Sequence, residues 1–142
     1  MPDHPPFSER DVLAAADRLI AAFAATDTDA YFAAFHPGAT FVFHTEPATL
    51  PSRAAYQDLW AGWIDAGWTV VSCDSSERVV TVVGDTAAFS HRVHTVTETD
   101  GEREATDERE TIVFVRTDAG PLAVHEHLSV AGTPVTAAGA AS

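Results

Sequence analysis

Three short stretches hold the residue types from which an acid/base site is built. Residues 122–132 read LAVHEHLSVAG, two histidines flanking a glutamate inside an apolar run, while 92–94 read RVH and 108–110 read ERE. Side chains alternate across a strand, so His125 and His127 share one face and Glu126 takes the other. The histidine pair opens a metal reading, which needs a third ligand, and His91 is the obvious neighbour. The same pair also fits a subunit interface. Glu126 opens a proton-transfer reading. Burial beside Val124 and Leu128 would raise its pKa and a nearby Arg92 would lower it, and a carboxyl under both influences serves as general acid or base near neutral pH. His94 is of the one type that titrates nearest neutrality, so an inward His94 is a proton shuttle. Each residue has a plainer reading too: Glu126 on an exposed edge, Arg92 and His94 on a solvated face among many glutamates, and ERE as a solvated charge run.

The elements that must position these groups are legible from spacing. Ser8 and Asp11 fit a capping box ahead of an amphipathic helix over about 9–25, with Val12, Ala16, Leu19, Ile20 and Phe23 at helical spacing. DTDAYFAAFHPG reads as a short second helix stopped by Pro37 and Gly38, and ATFVFHT as a strand. PSRAAYQDLWAGWIDAG reads as a third helix striped by Tyr56, Leu59, Trp60 and Trp63 and ended by Gly67. Strands follow over 68–83, 85–98, 103–117 and 121–131. Helices first and a strand meander second predict an α+β fold: three N-terminal helices on a strongly curved, mainly antiparallel sheet, with a cone-shaped pocket between. DSSE at 74–77 breaks the apolar rhythm and is expected to be a bulge that bends the sheet.

Register decides which groups meet. Three-residue loops at Thr99-Asp100-Gly101 and Asp118-Ala119-Gly120 would put even-numbered residues opposite even-numbered ones. Arg92 and His94 then share the pocket face with Glu108, Glu110, Ile112, Val124, Glu126 and Leu128, and His91, His125 and His127 face out. A two-residue turn at Asp100-Gly101 would flip parity and bring Arg109 and Thr111 to the side of Arg92. The first register is the expectation. It predicts catalytic roles for Glu126, His94 and Arg92, with Tyr56, Trp60, Phe43, Glu110, Ile112 and Leu128 contacting substrate.

The 142 residues suit one domain, expected over 8–132 with mobile tails at 1–7 and 133–142. The net charge is −13 and every basic residue is arginine, which argues against nucleic acid and anionic membranes as partners. A single cysteine, Cys73, excludes an internal disulfide and a cysteine zinc cluster. There is no Gly-rich phosphate loop, G-x-S-x-G elbow or Cys/His zinc spacing, so no cofactor and no metal are expected. The opening MPDHPPF lacks the pattern of a secretory leader, and a cytoplasmic location is expected.

The order of elements, with AFHPGATFVFH early and ERETIVFVRTDAGPLAVHEHLS late, resembles the nuclear transport factor 2-like superfamily over about residues 9–131. The nearer likeness is to its SnoaL-like branch, which includes small proteins of antibiotic gene clusters. The ending VHEHLS is also similar to the association domain of calcium/calmodulin-dependent kinase II. Such a resemblance implies the cone fold but ranges over isomerases, cyclases, dehydratases, epoxide hydrolases and binding or oligomerising modules. Likeness to limonene epoxide hydrolase, with its Arg-x-Asp on one strand and Asp on the last, implies roles for Arg92, His94 and Glu126. His94 stands where that pattern has a carboxylate. The base of ketosteroid isomerase has no counterpart, because Phe43 occupies the nearest position. The expectation is therefore a cofactor-independent proton-transfer enzyme of isomerase, cyclase, dehydratase or hydratase type. Its substrate would be a small, mostly apolar carbonyl- or hydroxyl-bearing molecule, polyketide-like in character. The alternative is a non-catalytic ligand-binding or dimerisation module, and in either case a homodimer formed through the sheet.

Overall fold

The computed structural model describes residues 7–132. In chain order the elements are α1 (Glu9–Ala24), α2 (Thr28–Ala33), β1 (Phe35–Phe43), α3 (Arg53–Asp65), β2 (Trp68–Val83), β3 (Thr86–Thr99), β4 (Glu102–Thr117) and β5 (Gly120–Val130). The α+β architecture is as expected. Of the tails expected at 1–7 and 133–142, residues 1–6 and 133–142 lie outside the described residues. Phe7, expected in the first tail, is instead buried in the core.

Helix α1 begins where the capping box places it: the Ser8 hydroxyl accepts from the Asp11 amide at 3.1 Å, and the Ser8 amide donates to the Asp11 carboxylate at 3.2 Å. Its apolar stripe buries Val12, Ala16 and Leu19. Ser52 caps α3, which buries Tyr56 and Trp60. The second helix ends at Ala33, before the residues expected to stop it. Phe35–Gly38 already belong to β1, because Phe35 pairs with Ala123 of β5 and is fully buried.

The sheet has the order β1-β5-β4-β3-β2, antiparallel throughout except for the parallel pair β1·β5, and it is open. The helices cover one face only. Phe41, Phe89, Phe114 and Ile112 meet Tyr31, Tyr56 and Trp60 there, forming a largely aromatic core. Tyr31 stacks on Trp60 with ring centroids 5.0 Å apart, and Phe41 meets Tyr56 edge-on at 4.7 Å.

Two backbone features set the register. Thr99 pairs with Glu102, so Asp100-Gly101 is a two-residue turn with both residues at positive φ, +50° and +85°. Asp-Gly favours this turn because its twist matches the twist of the flanking strands. The expected three-residue loop is therefore corrected, and parity flips between β3 and β4. At the second hairpin Thr117 pairs with Gly120, and a register shift follows: Phe114 pairs with Ala123 but Val113 with His125. Val124 is thus an extra, unpaired residue, and beyond it even-numbered residues of β4 and β5 face one another as expected, though through a bulge. The bulge expected near 74–77 is present as the shift between Ser76 and Val79, with Glu77 at φ +51°.

A Cβ at Gly101 would meet nothing within 4 Å, so only its φ disfavours a side chain. Gly101→Ala should cost about 1–2 kcal/mol with an unchanged denaturant slope. Urea unfolding of the two proteins checks this. Equal stabilities would contradict the assigned turn.

Candidate functional site

Between the helices and the curved sheet lies a cavity of about 310 Å³. Alternation on each strand determines what lines it. β3 contributes His91, Val93, Thr95 and Thr97; β4 contributes Glu104, Thr106, Glu108 and Glu110; β5 contributes Glu126 and Leu128. β2 adds Cys73 and Trp68, and the helices add Leu19, Ile20, Phe23, Tyr31, Tyr56 and Trp63. Phe43, Thr45 and Glu46 close the set at the end of β1.

The flipped parity separates the expected catalytic trio. Glu126 points inward and is 3% exposed. Arg92 and His94 lie on the opposite, helix-free face of the sheet, because His91 rather than Arg92 takes the inward position. The Arg92 guanidinium sits 3.7 Å from the Asp107 carboxylate and 4.0 Å from that of Glu77. The His94 ring, 48% exposed, is 3.4 Å from Asp107. Neither meets Glu126. Of the residues expected to touch substrate, Tyr56, Phe43, Glu110 and Leu128 line the cavity. Trp60 and Ile112 do not: both are core residues, 1% and 0% exposed, and the Trp60 indole N–H donates to Thr28 Oγ1 at 2.9 Å. His91, expected on the outer face with His125 and His127, is inside. The latter two remain outside, with His125 Nδ1 bonded to Thr40 at 2.7 Å, so the three histidines do not converge. Among the described residues no three His, Cys, Asp or Glu side chains are grouped as for a metal ion.

In place of the expected trio the cavity contains a buried polar chain. Ser75 Oγ lies 2.6 Å from His91 Nδ1, and His91 Nε2 lies 2.7 Å from Glu110 Oε1. The His91 ring is fully buried and the Glu110 side chain only 12% exposed. An ionised Glu110 can only accept, so Nε2 carries a proton toward it. Glu110 in turn stands beside Glu126, and each carboxyl shifts the ionisation of the other. Glu126 Oε1 is buried with no donor among the described residues, a costly position for an ionised carboxylate. A proton held on Glu126 and shared with Glu110 removes that cost.

The electrostatics run the same way. Burial pushes the Glu126 carboxyl well above the usual carboxylate range, and the charge of Glu110 and the hydrogen bond to it push it further. Burial also pushes Glu110 up, but hydrogen bonds from Glu126 and His91 outweigh it and hold Glu110 below the usual value. One carboxyl thus keeps its proton beside one that has lost it, which is how paired carboxyls divide acid and base roles. A second cluster stands farther along β4, where Glu108 meets His44 Nε2 and accepts from Thr106 at 3.3 Å. Burial raises the Cys73 thiol to about 11, which leaves it unsuited to act as a nucleophile at neutral pH.

Glu108 lines the cavity as the expected pocket face had it, whereas His91 and Ser75 were not foreseen as site residues. The Asp100-Gly101 dipeptide was the signal that would have found them, since it alone fixes which residues of β3 face in.

A family model described as SnoaL-like domain matches residues 12–133. No curated protein matches the chain. Several solved structures share the fold. One is an NTF2-like protein of unknown function in nutrient uptake from Rhodospirillum rubrum, 23% identical, with a TM-score of 0.74 and covering 85% of this chain and 98% of its own. Another is an NTF2-like family protein from Streptomyces avermitilis with a suggested dehydratase assignment, 18% identical, TM-score 0.76, covering 87% and 96%. A third is the calcium/calmodulin-dependent kinase II hub of S. rosetta, 25% identical, TM-score 0.71, covering 92% and 100%. The resemblance expected from the sequence is met. No helix among the described residues is long and apolar enough to cross a membrane.

The raised Glu126 pKa has a consequence for stability. The folded protein holds this proton more tightly than the unfolded chain does. The stabilisation is therefore full below the unfolded value of about 4.3 and lost as pH rises through the raised folded value. Glu110, with its lowered folded value, contributes in the opposite direction, and does so in both parent and variant. Glu126→Gln should match the parent near pH 4 and become progressively more stable as pH rises, by about 1.4 kcal/mol per unit of pKa elevation. Urea unfolding across that range checks this, and parallel stability curves would contradict it.

Proposed function

Because the chain belongs to the SnoaL-like domain family, and a fold does not by itself dictate chemistry, we propose that the cavity binds a small, mostly apolar molecule and moves protons on it. The observation that carries this reading is the carboxyl pair in one cavity: Glu126, buried with an oxygen that has no partner among the described residues, and Glu110, bonded to the buried His91. Glu110 is the base that takes a proton from the carbon beside a carbonyl. Glu126 is the acid that gives one to the carbonyl or to a departing hydroxyl. His91 and Ser75 orient Glu110. The net result is an isomerisation, dehydration, hydration or cyclisation that needs no external oxidant or reductant. The dehydratase assignment of the S. avermitilis structure supports this class of reaction. Arg92 and His94 have no part in it.

The test is proton exchange at carbon. The protein is incubated in D₂O with small apolar ketones, cyclohexanone and 2-tetralone among them, and loss of the α-hydrogens is followed by proton NMR. The parent should accelerate exchange, and Glu126→Gln should lower the rate about a hundredfold or more. Equal rates for the two proteins would sink the assignment.

The outer sheet face supports a reading of its own. It carries no helix, includes His125 and His127, and leaves Val79 58% and Val83 75% exposed. The likeness to the S. rosetta kinase hub fits a second copy of this chain as its cover. Light scattering at micromolar concentration should give twice the chain mass, and His127→Glu should shift that mass toward the monomer. A monomeric parent would refute this.

A further inference from the structure

The cavity carries charge of one sign. Glu46, Glu104, Glu108, Glu110 and Glu126 line it, no arginine among the described residues does, and the chain has no lysine. The carboxyls stand at every depth. Inward-facing residues of β4 pass from Ile112, fully buried, through Glu110 and Glu108 to exposed Glu104 near the hairpin. At the inner end Glu126, 3% exposed, has a buried oxygen without a partner. The facing wall is aromatic, with Phe23, Tyr56, Trp63 and Trp68. Ring faces attract cations, and Trp does so best. An anionic ligand would meet repulsion along the whole path, and a neutral one would leave Glu110 and Glu108 with only His91 and His44 beside them.

We propose that the ligand of this cavity is an organic cation: a protonated amine on a flat apolar body, its ammonium group between Glu126 and Glu110 and its body against Tyr56, Trp63 and Trp68. This rests on the reading that the cavity is the ligand site, and it concerns binding alone, since Glu126 ionised beside an ammonium group is no longer an acid.

Binding is then linked to a proton. In the empty cavity Glu126 is protonated because of burial and the charge of Glu110. An ammonium ion beside it reverses that balance, so Glu126 releases its proton to solvent as the cation enters. The groups that face Glu126 are Glu110 and Glu108 from β4, His91 from β3 through Glu110, Cys73 from β2, Tyr31 from α2 and Tyr56 from α3. Burial holds the thiol at about 11 and both phenols well above 10.0, so none of these three loses a proton below about pH 9.

The experiment is calorimetric titration of the full chain with three probes of one shape: 2-phenylethylammonium, 2-phenylethanol and 3-phenylpropanoate. The amine stays protonated through the range, as lysine-like amines do below about pH 10.4. The ammonium ion should bind at least about tenfold tighter than the alcohol, and the carboxylate not measurably. Its affinity should rise as pH rises toward the raised range in which Glu126 of the empty cavity ionises, with release of a proton, read from buffers of different ionisation enthalpy. In Glu126→Gln, whose amide still bonds Glu110 but has no proton to lose, that rise should flatten. If the alcohol or the carboxylate binds as tightly as the ammonium ion, the cation preference is overturned while the cavity reading stands. If none of the three binds, both are overturned. An unchanged pH profile in the variant would overturn the seat at Glu126.

Discussion

Glu110 and Glu126 face one cavity from neighbouring strands, where two buried ionised carboxylates side by side would repel strongly and leave oxygens unsatisfied. The arrangement is tolerable only if one proton stays between them. Which residue keeps it is decided by the neighbours. His91, itself fixed by Ser75, directs an N–H at Glu110 and so stabilises the charge there. Glu126 has no such donor and lies deeper. The asymmetry of the pair, and with it the division into acid and base, follows from which strand each carboxyl stands on and who stands opposite.

Those positions depend on very little of the backbone. A two-residue turn at Asp100-Gly101 brings His91 to the inner face and sends Arg92 and His94 outward. One extra residue, Val124, keeps Glu126 on the same side as Glu110 after a hairpin that would otherwise have turned it out. Lengthening the first turn by one residue would take His91 away from Glu110, and losing the bulge would turn Glu126 away from it.

The sequence was most legible where its signals are local and redundant. The capping box at Ser8, the stripes of α1 and α3, the four late strands and the bend after Asp74 all emerged where the residues place them. Glu126 was legible as an inward carboxyl because its neighbours Val124 and Leu128 are apolar. Its partners were not. Arg92 and His91 are adjacent, each plausible beside a carboxylate, and strand periodicity cannot separate them without the turn that sets the register. Trp60 and Ile112 were placed at the pocket wall because an apolar face does not reveal where packing ends and open space begins. That distinction depends on the depth of the bent sheet.

The most direct test of this account is a site-resolved titration of the two carboxyls, by carbon NMR of glutamate side chains in the parent protein, assigned with Glu110→Gln and Glu126→Gln. The account predicts two separated midpoints: Glu110 ionising below the ordinary glutamate value of about 4.3, and Glu126 holding its proton well above it. Two midpoints both near the ordinary value, or the reverse order, would show that the cavity does not divide the pair, and the acid/base reading would fall with it.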